Sequence, residues 1–304
     1  MGKAVNRLDP ALTDAPSDVS AAGVADDLPI GFMQGRLCPM LDGKIQAFPW
    51  RDWRVEFPAA QRLNVGLMEW TLDHDRLAEN PLITPDGRAE IREISSKHRV
   101  RVQSLTGDIF MQAPFWKVSG ALREERLGEL DLVLDACADL GIRFVVVPLV
   151  DNGSMSSGGE EDAVIDAVNV RADRLRRDGL VIAFECDYAA ADLARFISRF
   201  PADVCGINFD IGNSAALGYD TAEHLDAYGE RIVNVHIKDR VLGGTTVPLG
   251  LGNADIPGTL HALVSSGYRG AYILQTARAQ DGDHEGALGR YFQSTRQWLR
   301  DAQR

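Results

Sequence analysis

Four residues of the 304-residue chain stand out by type and spacing: Glu185, Asp210, His236 and Gln275, separated by 25, 26 and 39 positions. Two carboxylates, an imidazole and an amide oxygen make a mostly hard, oxygen-rich donor set. Such a set suits Mn²⁺, Mg²⁺ or Co²⁺ ahead of Zn²⁺, and its two negative charges balance one divalent cation. Taken singly, each residue has a plainer reading. An acidic residue at the end of a strand often caps a helix, and an isolated histidine is often a structural one. The set carries chemistry only if each member ends a strand and the strands close around one mouth.

The elements needed to do this are legible. From residue 30 onward, apolar runs at 29–37, 64–70, 99–107, 142–150, 180–186, 204–212, 231–239 and 271–276 alternate with longer segments of helical period. Most runs are dense in Val, Ile, Leu and Phe rather than strictly alternating, as parallel strands buried on both faces should be. In the segment 122–140, Leu127, Leu130, Leu134, Cys137 and Leu140 recur at three- and four-residue steps. A last helical segment is expected at 284–298. Thr84 followed by Pro85 reads as an N-cap with proline at the first helical position. Eight strand–helix units of about 34 residues each predict an α/β fold, the (β/α)₈ TIM barrel. An open doubly wound sheet would carry GxGxxG after its first strand, and none is present. The barrel is expected as a single domain over 29–304. Residues 1–28, rich in Ala, Asp and Ser, are expected to form a flexible N-terminal arm.

Composition narrows the function classes. Hydrophobic residues at 45% and charged residues at 25% belong to a globular chain rather than a disordered one. Lys and Arg number 32 against 44 Asp and Glu, a net charge of −12, which argues against a nucleic-acid-binding surface. No apolar run approaches the length needed to span a bilayer, and the N-terminus lacks the apolar core of a signal peptide. Cys38, Cys137, Cys186 and Cys205 form no CxxC pair. They are expected to be plain buried thiols in a reducing, cytoplasmic compartment.

Barrel chemistry sits at the carboxyl ends of the strands. Besides the four donors, those ends supply Gln34, Arg36, Glu69, Asp108, Asp151, Asn152, Asp187, Asn213, Lys238 and Asp239. Of these, Gln34, Arg36, Glu69, Asp108, Asn213 and Asp239 are expected to contact substrate. The stretches 48–53 and 107–116 bring Trp50, Trp53, Phe110 and Trp116 toward the mouth, where such rings suit stacking on a substrate or a lid that excludes water, and Trp116 is expected to contact substrate. The alternative is that these rings pack long loops. Arg36 together with the glycine-rich loop 241–253 would suit an anion such as phosphate, unless that loop only covers the mouth.

The strings FEC on the fifth strand, NFDIGNS on the sixth, VNVHIKDR on the seventh and VPLGLGNADI…SSGYRGAYILQ leading into the eighth resemble the xylose-isomerase-like TIM barrels. That superfamily includes isomerases and epimerases of sugars and sugar phosphates, dehydratases and abasic-site endonucleases. The resemblance implies a divalent metal held by Glu, Asp, His and Glu on strands five to eight. The first three fall on Glu185, Asp210 and His236. The fourth falls on Gln275, a departure: an amide offers a metal a neutral oxygen but takes no proton. It also implies a hydrogen bond from Asn213 to a substrate hydroxyl, where several relatives carry histidine. Homodimers are common in the family.

The resemblance therefore points to a metal-dependent isomerase or epimerase of a sugar or sugar phosphate, working through an enediolate with Glu185 as general base. With Gln275 in place of a carboxylate, a one-base aldose–ketose isomerase fits better than a two-base epimerase, unless Glu69, Asp108 or Lys238 supplies the second base. Lys238 is expected to meet a substrate oxygen or phosphate; its alternative is a salt bridge to Asp239 or Glu185. A dehydratase acting on a keto-polyol would need the same metal-bound carbonyl and base. A non-catalytic carbohydrate-binding barrel is the reading from outside enzymology. Six scattered histidines and the acidic charge argue against the endonucleases.

Overall fold

The eight apolar runs become eight parallel strands: β1 (Ile30–Met33), β2 (Leu67–Thr71), β3 (Arg101–Thr106), β4 (Phe144–Leu149), β5 (Val181–Cys186), β6 (Cys205–Asp210), β7 (Ile232–Ile237) and β8 (Ala271–Leu274). Each pairs with its neighbour in sequence, and β8 closes on β1. The computed structural model describes residues 28–304, so the expected arm falls outside the described residues except for Leu28. Most strands are shorter than the apolar runs because residues at both ends turn into loops. Among the described residues, no helix is long and apolar enough to cross a membrane.

Helices follow each strand on the outside. The helix Pro85–His98 starts as the sequence predicts, with Thr84 Oγ1 accepting from the Gly87 N–H at 3.2 Å. The helix Gly120–Leu140 buries Leu130, Leu134 and Cys137 of the expected stripe together with Val133 and Ala136, while Leu127 and Leu140 are only partly buried. The last helix runs from His284 to Ala302, longer than expected. All four cysteines are free thiols, and only Cys186 is partly exposed.

Alternate strand residues point into the barrel. Inside it Met33, Leu67, Ala271 and Ile273 form a small apolar plug, separate from the large core between strands and helices. Gly31 makes room for it. A Cβ there would stand 2.8 Å from both Leu67 Cβ and Ile273 Cδ1, closer than carbon atoms tolerate. Beside the plug, level with Met33 and Ile273, stand Glu69 and His236, and the polar inward residues there carry the site.

Candidate active site

Strand register sets the first relationships. His236 on β7 pairs with Asp210 on β6 and with Ile273 on β8, which leaves Gln275 just above. Donor atoms of Glu185, Asp210 and His236 lie within 4.8 Å of one another, and all three residues are buried. Asp210 serves two purposes. Its Oδ1 caps the helix Ile211–Leu217 by accepting from the Asn213 N–H at 2.8 Å, while its Oδ2 accepts from Lys238 Nζ at 2.9 Å. The capping role and the site role thus coexist in one carboxylate. Burial alone would lift its pKa, but the Lys238 ammonium and the His236 ring hold it well below the usual carboxylate range.

His236 is fixed from behind. Its Nε2 lies 2.7 Å from Glu69 Oε1, and Glu69 also accepts from the Thr106 hydroxyl and from Asn234 Nδ2 at 3.0 Å. A carboxylate can only accept, so Nε2 carries a proton; burial opposes charge on the ring, yet the surrounding Glu69, Asp210 and Glu185 carboxylates raise its pKa well above the ordinary value, and the nitrogen a metal would take is Nδ1. That nitrogen faces Asn208 Nδ2 at 3.0 Å and Glu185 Oε2 at 3.2 Å. Burial disfavours charge on Glu69, yet the His236 ring, Thr106 and Ser104 hold its carboxyl below the ordinary value. Glu185 accepts from Asn208 Nδ2 at 2.8 Å on Oε2 and from Asn213 Nδ2 at 2.6 Å on Oε1. Amide N–H donors thus hold both of its oxygens in place. Arg240 Nη1 in turn donates to Asn213 Oδ1 at 2.8 Å and sets the direction of that amide.

Gln275 sits at the top of this group. Its Oε1 faces Lys238 Nζ at 3.3 Å, and its Nε2 donates to Gln46 Oε1 at 2.8 Å. Gln46, from the loop after β1, donates through Nε2 to Asp108 Oδ2 at 2.6 Å. Each amide has a donor bonded at its oxygen and an acceptor at its nitrogen, so the chain Lys238–Gln275–Gln46–Asp108 has one consistent direction. Lys238 therefore contacts Asp210 and Gln275, not Asp239 or Glu185.

The remaining expected contacts are placed elsewhere. Gln34 lies fully buried between β1 and β2, its Oε1 accepting from the Thr71 N–H at 3.1 Å. Arg36 spends its guanidinium on the carbonyls of Thr276 and Ile45 and on Gln46 Oε1. Asp239 accepts from the N–H groups of Gly250, Gly252 and Ala254 at 2.8–3.1 Å. The anion seated by the glycine-rich loop is thus the chain's own carboxylate. Position 252 must be glycine there, since a Cβ would lie 2.1 Å from Asp239 Oδ1. The aromatic rings went into packing. Trp53, Phe110 and Trp116 are each at most 4% exposed, and the Trp116 N–H donates to the Gly153 carbonyl at 3.0 Å. Of the four, Trp50 alone is partly exposed, its ring covered by the Arg76 guanidinium at 3.9 Å.

Several residues of the network were passed over in the sequence. Asn208 and Asn234 each stand two positions before a donor, Asp210 and His236, and so share its inward face; that period was available. Gln46 and Arg240 had no such signal, because loop geometry alone brings them in. Glu56 lies fully buried beside the β1 loop, accepting from the Gly35 and Leu37 N–H groups at 2.8–3.0 Å.

The donors suit a hard divalent cation: two carboxylates, an imidazole Nδ1 whose far nitrogen is tied to a carboxylate, and an amide oxygen. Comparison with known proteins places the fold. The chain is 27% identical over 235 residues to L-ribulose-5-phosphate 3-epimerase UlaE of Salmonella paratyphi A, covering 73% of this chain and 81% of the relative. Its fold superposes on D-psicose 3-epimerase with D-tagatose from Clostridium cellulolyticum H10 with a TM-score of 0.70 at 11% identity, covering 89% and 99% of the two chains. It superposes likewise on a xylose isomerase-like TIM barrel protein from Mycobacterium smegmatis in complex with magnesium, with a TM-score of 0.64 at 17% identity, covering 91% and 98%. The family model described as xylose isomerase-like TIM barrel matches residues 57–302. With the closed eight-strand barrel and this site at its mouth, the chain belongs to the xylose isomerase-like TIM barrel family.

Proposed function

We propose that this protein is a divalent-metal-dependent isomerase or epimerase of a sugar or sugar phosphate, with Glu185 as the general base. The observation that carries the reading is the convergence of Glu185, Asp210 and His236 within 4.8 Å, with His236 turned toward that point by Glu69. The relatives support the reaction class, since the one named from sequence and one of the similar folds are both ketose 3-epimerases by name.

Glu185, Asp210, His236 and Gln275 would hold the cation, with Mn²⁺, Mg²⁺ or Co²⁺ suiting the oxygens better than Zn²⁺. When bound it supplies Lewis-acid polarisation of a substrate carbonyl and offsets the charge of the enediolate. The chain's own groups do the rest. Glu185, oriented by Asn208 and Asn213, takes the proton from the carbon beside the carbonyl. Lys238, held between Asp210 and Gln275, places an ammonium at the same mouth for a substrate oxygen. Asn213, steered by Arg240, offers an amide to a hydroxyl.

The test is a titration of metal-stripped protein with Mn²⁺, followed by product analysis on ketoses, ketose phosphates and hydroxypyruvate. One Mn²⁺ per chain, lost in His236→Gln, with interconversion of a carbonyl sugar, is the expected result. Equal Mn²⁺ uptake by wild type and His236→Gln would contradict it.

A further inference from the structure

An epimerase must take a proton from one face of a carbon and return one to the other. With an amide at position 275, Glu185 needs a partner that β8 does not provide. Most acidic groups around the mouth are already committed. Glu69 is 0% exposed and gives its oxygens to His236, Thr106 and Asn234. Asp210 gives its two to the Asn213 N–H and Lys238, and Asp239 accepts three backbone N–H groups. Asp73 accepts from the Phe48 N–H and from Gln112. The Lys238 ammonium is tied to Asp210 and Gln275 on the metal side.

Asp108 is different. It opens the short helix Asp108–Gln112 directly after β3, on the arc of wall that supplies none of the metal donors. Its Oδ2 accepts from Gln46, whose other end binds Gln275, so the carboxyl hangs two amide lengths from the fourth donor. Its Oδ1 accepts no hydrogen bond among the described residues. We propose that Asp108 is the second proton-transfer group of this enzyme, serving from β3 where the amide of Gln275 cannot, so that the reaction is a two-base epimerisation of a ketose. This rests on the functional reading above.

Burial lifts the Asp108 carboxyl to about 7; Gln46 pulls it back, while Asp73 and Glu185 add to the lift. A group so placed exchanges a proton near neutrality. In one turnover the C–H bond beside the carbonyl breaks, its electron pair forms the enediolate and its proton goes to Glu185. The Asp108 O–H then breaks and its proton makes the new C–H bond from the other face, as the enediolate collapses to the ketone. Glu185 is left protonated and Asp108 ionised; Glu185 releases its proton to water and Asp108 takes one up.

The experiment follows epimer formation and deuterium uptake together in D₂O, with Mn²⁺-loaded wild type, Asp108→Asn, Asp108→Glu and Glu185→Gln on a ketose panel. Asp108→Asn is expected to keep Glu185-dependent exchange within about threefold while epimer formation falls at least a hundredfold, in the range of general-acid effects. Asp108→Glu should recover part of it. Glu185→Gln should lose both. Epimer formation by Asp108→Asn at the wild-type rate, or an equal loss of exchange and inversion, would overturn the role of Asp108. So would a wild-type product that is an aldose. Absence of exchange in the wild type would instead overturn the functional reading, and the role of Asp108 with it.

Discussion

His236 Nε2 and Glu69 Oε1 meet at 2.7 Å across 167 residues of chain, both fully buried. That bond keeps Nδ1 of the imidazole turned toward Glu185 and Asp210. In Glu69→Gln the amide nitrogen would oppose the Asn234 donor or the His236 N–H. Mn²⁺ affinity is expected to fall about 10- to 100-fold, measured by calorimetry at fixed pH. Unchanged affinity would mean that His236 is not oriented through Glu69.

Gln275→Glu adds a negative charge to the donor set and removes the N–H that Gln46 accepts. Divalent metal should bind about tenfold tighter or more, on the order of 1.4 kcal/mol. Equal affinity in a direct Mn²⁺ titration would remove Gln275 from the donor set.

Asp239 organises the loop beyond β7 through three backbone N–H groups. Asp239→Ala leaves those donors unpaired and is expected to cost roughly 2–4 kcal/mol, measured by urea unfolding. Limited proteolysis should then cut within 241–253. A variant as stable and as resistant as wild type would contradict the anchoring role.

Glu56 supplies a pH prediction. Burial raises its carboxyl from 4.5 to about 7, although the Leu37 and Gly35 N–H groups, Arg278 and Arg36 pull the other way. Because the folded value lies above the unfolded one, its contribution is fully present below pH 4.5 and is lost as pH rises through 7. The stability of wild type relative to Glu56→Gln should therefore decline between pH 4.5 and 7, by about 3 kcal/mol at most. A difference that stays flat across that window would show that Glu56 does not titrate in the folded protein.

What could be read from sequence follows from the physics of each feature. Strands buried on both faces announce themselves by density of Val, Ile, Leu and Phe, so the barrel and the positions of Glu185, Asp210, His236 and Gln275 at its strand ends were legible. Contacts made across the barrel were not. Gln46 reaches Gln275 over 229 residues, and no local pattern marks it. The glycines of 241–253 looked like an anion cradle and are one, but the anion is Asp239. The aromatic residues near the mouth carry no mark separating a stacking face from a packed ring, and burial decided for packing in Trp53 and Phe110.

The most direct test of the central claim is exchange of the hydrogen beside a substrate carbonyl in D₂O, compared between Mn²⁺-loaded wild type and Glu185→Gln. Metal-dependent exchange is expected in wild type on at least one ketose or ketose phosphate, reduced at least a hundredfold in Glu185→Gln, as removal of a general base requires. Exchange that persists at the wild-type rate in Glu185→Gln, or that is absent from wild type with metal bound, would contradict it.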